Sequence, residues 1–93
     1  MIRLNCFFQA GEGENNYRDA LRAAVSLAEK SRKHPGCIAY DMFVSTPRSD
    51  VFMICDTWKD KESLEQHALT ADYKRYSKIM NECGLFKIEQ FEF

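Results

Sequence analysis

The sequence predicts an α+β fold of the ferredoxin-like βαββαβ type, a four-stranded antiparallel sheet with helices on one face. Three observations predict it. Segments of period-2 and period-3.6 apolar patterning follow one another in the order strand, helix, strand, strand, helix, strand. The middle two strands are separated only by the loop 45–50, the length of a hairpin connection. And 93 residues at 45% hydrophobic and 29% charged are enough for one core and too few for two, so residues 1–93 read as a single domain.

Met1 to Gln9 reads as the first strand, with Ile2, Leu4, Cys6 and Phe8 on one face and Arg3, Asn5 and Phe7 on the other. Gly11 to Gly13 breaks it, and Asn15 or Asn16 is the expected cap of a helix whose apolar stripe is Tyr17, Leu21, Ala24, Val25 and Ala28. Lys30, Arg32 and Lys33 suit the negative end of that helix, and Pro35-Gly36 ends it. His34, among those cations, reads as a solvated residue at the helix end.

Cys37 to Val44 and Val51 to Trp58 are the hairpin strands, the latter carrying Phe52, Ile54, Asp56 and Trp58 on one face. Asp60 is the expected N-cap of a short helix through Leu64 and His67. Thr70 is that of a second stretch bearing Tyr73, Tyr76, Ile79 and Met80. Gly84 stops it, and Leu85 to Phe93 is the last strand.

Strands with apolar residues of both parities need cover on both sides, and one layer of helices covers only one. A homodimer with two sheets face to face is the expected solution. Thirteen Lys and Arg against fourteen Asp and Glu leave a net charge of -1, which argues against nucleic acid or an anionic membrane surface as partner. Apolar runs are too short to span a bilayer and there is no signal-like N-terminus, so a cytoplasmic chain with no membrane partner is expected. The four cysteines lack zinc-site spacing, so no metal is expected, and they read as buried reduced thiols.

Several residues are candidates for chemistry. His67 lies on the apolar side of its helix, where imidazole can act as a general base near neutrality or simply be a hydrogen-bonded histidine at the core edge. Trp58 ends its strand just before that helix, as a ligand-holding or core aromatic. Asp56 shares its face and needs a partner there. Asn5, mid-strand, faces either solvent or a ligand, and Tyr73 and Tyr76 could line a cavity with their phenols. Together they describe a mostly apolar pocket with a few polar groups, the form of a small-molecule site.

The runs Pro35-Gly36-Cys37-Ile38-Ala39-Tyr40, Asp56-Thr57-Trp58-Lys59-Asp60 and Ser63-Leu64-Glu65-Gln66-His67, followed by Thr70 and Tyr73, resemble the antibiotic biosynthesis monooxygenase domain and its bacterial quinol monooxygenases. The resemblance covers nearly the whole chain. It implies a dimeric α+β barrel holding a cavity between helices and sheet. It also implies one of several activities: cofactor-free oxidation of quinol or polyketide substrates, isomerisation of a phosphorylated keto compound, or haem degradation with an Asn, Trp and His set. Two departures stand out: Asp56 replaces a common Glu, and Asp72 stands where a His often follows the Thr.

The expectation that results is a small-molecule monooxygenase without cofactor, in which His67 is the base, Asn5 binds the developing oxyanion and Trp58 excludes water. Tyr73, Tyr76 and Asp56 would bind substrate. Haem is disfavoured because the histidine sits elsewhere in the helical region. The alternatives are an isomerase of a small phosphorylated keto compound, with Arg3, Arg18, Arg22 or Arg75 as anion contacts, and a dimer that binds ligand without turnover.

Overall fold

Strand β1 spans Ile2–Ala10, helix α1 Asn16–Ser31, β2 Cys37–Val44, β3 Val51–Trp58, α2 Lys61–Ala68, α3 Ala71–Cys83 and β4 Gly84–Glu92. These come from a computed structural model that describes residues 1–93. The strands form one antiparallel sheet in the order β2-β3-β1-β4, the ferredoxin-like arrangement, with α1 and α3 packed together on one face. Placing the first strand centrally is what brings β3, and hence Asp56 and Trp58, under the helices.

Alternation decides the two faces. Phe8, Phe52, Ile54 and Trp58 are buried under Ala20, Ala24, Leu27 and Ala28 of α1, and Phe8 stacks on Phe52 with ring centroids 4.6 Å apart. The small alanines let α1 lie close to the aromatic layer. On the opposite, outer face Phe7, Phe43, Leu85 and Phe91 are exposed. A β-bulge between Cys37 and Ala39 takes Ile38 out of the alternation and leaves it exposed, while Cys37 pairs with Trp58.

The caps of the two later helices form as expected. Asp60 accepts from the Ser63 backbone N–H at 2.8 Å and Thr70 from that of Tyr73 at 3.1 Å. Asn15 precedes α1 without a side-chain cap bond; Asn16 instead donates to the Glu12 carbonyl. Gly84 is not a left-handed stop. Its backbone is extended and starts β4, and a side chain there would run into the Gln9 carbonyl and the Phe8 ring. All four cysteines are free, but only Cys83 is buried; Cys6, Cys37 and Cys55 are half-buried, which corrects the expectation that all were interior. No helix is long and apolar enough to cross a membrane.

Candidate active site

The site starts from the end of β3. Asp56 and Trp58, two apart on one strand, share the inner face at 3% and 0% exposure, and the Trp58 indole N–H donates to Asp56 Oδ2 at 2.6 Å. Burial raises the Asp56 carboxyl to about 6, against the smaller opposing pull of that bond and of the Arg3 charge.

Asp60 caps α2 at a point that turns His67, in its last turn, back onto this pair. His67 is 4% exposed. Its ring lies 4.4 Å from that of Trp58 at 35°, meets Tyr73 edge-on at 5.0 Å and lies 5.7 Å from Tyr40. Burial, and secondarily the neighbouring His34, lower its pKa to about 4, so the imidazole is neutral at pH 7. Burial pushes the Tyr40 and Tyr73 phenols up, holding them protonated as donors. It also pushes the Cys6 thiol up to about 12, which leaves that cysteine a poor nucleophile.

His34 is not the solvated helix-end residue that its sequence context suggests. The Pro35-Gly36 turn packs on α2, so close that a side chain at Gly36 would collide with Ser63, and this brings His34 against His67 with their Nδ1 atoms 2.9 Å apart. On its far side His34 Nε2 lies 3.5 Å from Asp72 Oδ2, and its side chain is 13% exposed. Neither His34 nor Asp72 was legible as part of a site, because the contact joins residues 33 apart through a turn. The one signal was Asp72 itself, standing where a histidine is usual.

One cavity is lined by His67, and a second lies beyond the Tyr40 and Tyr73 rings that pack on it. The first, polar and of about 410 Å³, is lined by His34, Glu62, Ser63, Gln66, His67 and Thr70 among others. The second, apolar and of about 100 Å³, lies between α3 and the sheet, its wall including Tyr40, Tyr73, Met80, Asn81 and Phe86. No Arg or Lys lines either. Arg3 donates to Thr57 on the outer face and Arg75 lies over the Tyr76 ring, 5.2 Å from its centroid.

The structure thus brings His67, Trp58, Asp56 and Tyr73 together. It does not bring Asn5 with them. Strand parity puts Asn5 on the outer face, where its Oδ1 accepts from the Cys55 thiol at 3.4 Å. Tyr76 packs at the margin of the core and does not line the inner cavity. The Asn, Trp and His set of haem-degrading relatives is therefore not assembled, and these residues do not fit haem in that manner. No group of three His, Cys, Asp or Glu side chains converges on a point that could hold a metal.

Comparison with known proteins decides the family. Residues 1–79 match the family model for antibiotic biosynthesis monooxygenase. The chain belongs to the antibiotic biosynthesis monooxygenase family. It is 30% identical over 56 residues to YcnE of Bacillus subtilis strain 168, provisionally named a monooxygenase; the match spans 60% of this chain and 59% of that relative. A Bacteroides thetaiotaomicron protein of unknown function, described as a possible oxidoreductase, is 47% identical with a TM-score of 0.93 over 99% of this chain and 96% of its own. SnoaB of Streptomyces nogalater, a cofactor-independent oxygenase, has a TM-score of 0.76. The match covers 99% of this chain and 91% of SnoaB, and at 10% identity that likeness shows the fold alone. This family member has the ferredoxin-like sheet of its relatives.

Proposed function

We propose that this chain is a cofactor-independent monooxygenase of a small quinol-like or polyketide-like substrate, with His67 as general base. The observation that carries the reading is a buried imidazole, neutral at pH 7, enclosed by Trp58, Tyr40 and Tyr73. His67 takes the proton of an acidic O–H or activated C–H. With an activated CH₂ the carbanion gives its electrons to O₂ and a C–O bond forms at that carbon. Loss of the second hydrogen with the outer oxygen as water leaves a carbonyl. A quinol that gives up only two electrons and two protons reduces O₂ to H₂O₂.

A pKa of about 4 makes His67 a weak base towards solvent. A substrate anion held against it favours the imidazolium and moves that value up where it is needed. The protonated phenols of Tyr40 and Tyr73, whose rings pack on His67, would donate to that anion, the part expected of Asn5. Trp58 backs the His67 ring, and Asp56 fixes the indole through its hydrogen bond.

The exposed Phe7, Phe43, Leu85 and Phe91 on the outer face support a homodimer through that sheet. A charge of -1 and a site lined by neither Arg nor Lys support an uncharged small molecule as partner, in place of nucleic acid or a phosphorylated keto compound.

The inner cavity favours a second reading. At about 100 Å³ it is below the roughly 150 Å³ known to hold benzene, so a ring enters it only if α3 parts from the sheet, and an inner cavity that stays closed favours a dimer without turnover. Turnover under ¹⁸O₂ with dihydroxynaphthalenes and anthrones separates these. The proposal expects one labelled oxygen per anthrone product, and labelled hydrogen peroxide where a dihydroxynaphthalene is oxidised only to its quinone. Conversion that continues without oxygen would show an isomerase, and no product from any substrate would favour the dimer without turnover.

A further inference from the structure

His34 and His67 face each other through Nδ1, 2.9 Å apart, and at that distance one nitrogen carries a proton and the other accepts it. Which does so is decided outside the pair. Asp72 Oδ2 lies 3.5 Å from the far nitrogen of His34, and a carboxylate there favours a proton on His34 Nε2. A neutral His34 with its proton on Nε2 has a bare Nδ1, so it can only accept. His67 must then carry its own proton on Nδ1, which leaves Nε2 bare. The two nitrogens of an imidazole point apart, so this bare atom is directed away from His34.

We propose that Asp72 and His34 are a positioning pair that holds His67 in its Nδ1–H tautomer and so makes Nε2 the atom that accepts the substrate proton. This rests on the reading of His67 as base. In the reaction the substrate O–H or C–H bond breaks and an N–H bond forms at Nε2, while the Nδ1–H donates throughout to His34. The charge that His67 gains faces His34 and, beyond it, the Asp72 carboxylate, with Glu62 in the same cavity wall. The other aromatic rings packed on His67 are those of Trp58, Tyr40 and Tyr73. A His34 protonated on both nitrogens would instead donate to His67 Nδ1, drive the His67 proton to Nε2 and abolish the base.

Long-range ¹H–¹⁵N correlation spectra of the ¹⁵N-labelled full chain at neutral pH read the tautomer without any substrate. In the wild type His67 is expected to show a pyrrole-type Nδ1 and a pyridine-type Nε2. His34→Ala should move His67 towards the Nε2–H form, Asp72→Ala should do so partly, and His34→Gln, whose amide oxygen can accept, should keep the Nδ1–H form. His67 found as Nε2–H in the wild type, or unmoved by both alanine variants, would overturn the pair. If His34→Ala does not fold, the Asp72→Ala and His34→Gln spectra still decide. On an accepted substrate His34→Ala should lower kcat about tenfold or more with KM little changed. A wild type that never takes up oxygen sinks the base reading while the spectra still judge the tautomer.

Discussion

The indole nitrogen of Trp58 and a carboxylate oxygen of Asp56 lie 2.6 Å apart on the inner face of one strand, and this is the only side-chain hydrogen bond that the Asp56 carboxylate makes. A buried carboxylate that loses its donor keeps the desolvation cost without compensation. Trp58→Phe should therefore destabilise the chain by roughly 1–3 kcal/mol in urea unfolding and move the Asp56 titration upward. A variant as stable as the wild type, with Asp56 unmoved, would mean that the bond contributes nothing.

His67 and Asp56 make opposite contributions to stability across the same pH range. His67 falls from 6.5 to about 4 on folding, so the unfolded chain binds more protons between those values, and stability from this group is lost as pH drops below 6.5. Asp56 rises from 3.8 to about 6, so the folded chain binds more protons there, and stability from it is lost as pH rises towards 6. Removing one group uncovers the other. Between pH 4 and 6 the urea midpoint of Asp56→Asn should climb with pH more steeply than the wild type, and that of His67→Ala should climb less or fall. Parallel profiles for all three would refute both shifts.

Gly36 has a φ of +81°, and a side chain there meets Ser63. Gly36→Ala should cost roughly 1–3 kcal/mol and loosen the turn that seats His34. The Gly36→Ala, Ser63→Ala double variant should recover only part of this, since the β-carbon at 63 still meets the new side chain and the backbone strain persists. Thermal unfolding of the two variants checks it, and full recovery would show that neither carries a cost.

Much of this architecture is readable in the chain. The strand alternation, the Asp60 and Thr70 caps and the shared face of Asp56 and Trp58 are local properties, written in residues a few positions apart. His34 and Asp72 were not legible because their roles come from a turn docking on α2, a contact between distant segments. Asn5 shows the converse limit. Its polarity marks it as special and alternation sets it opposite Leu4 and Phe8, but only the packing of the helices on the Phe8 side shows that its own face is the outer one. The cavity volume is likewise a property of packing between α3 and the sheet.

The outer face predicts the assembly. Phe7 is 44% and Phe43 52% exposed, on either side of Met53 in one row across that sheet. Light scattering at micromolar concentration should give about twice the 10.9 kDa chain mass, and Phe7→Glu with Phe43→Glu should return it to 10.9 kDa with the fold intact. A wild-type mass of one chain contradicts the dimer.

The central claim is that His67 is the base of an oxygen-consuming reaction. Oxygen uptake by metal-stripped protein should be recorded with hydroquinones, dihydroxynaphthalenes and anthrones, beside His67→Ala. The account predicts substrate-dependent uptake that falls at least about tenfold, and up to the 10²–10⁴-fold range of general-base catalysis, in the variant. Uptake left intact by His67→Ala, in a variant that folds like the wild type, would contradict it.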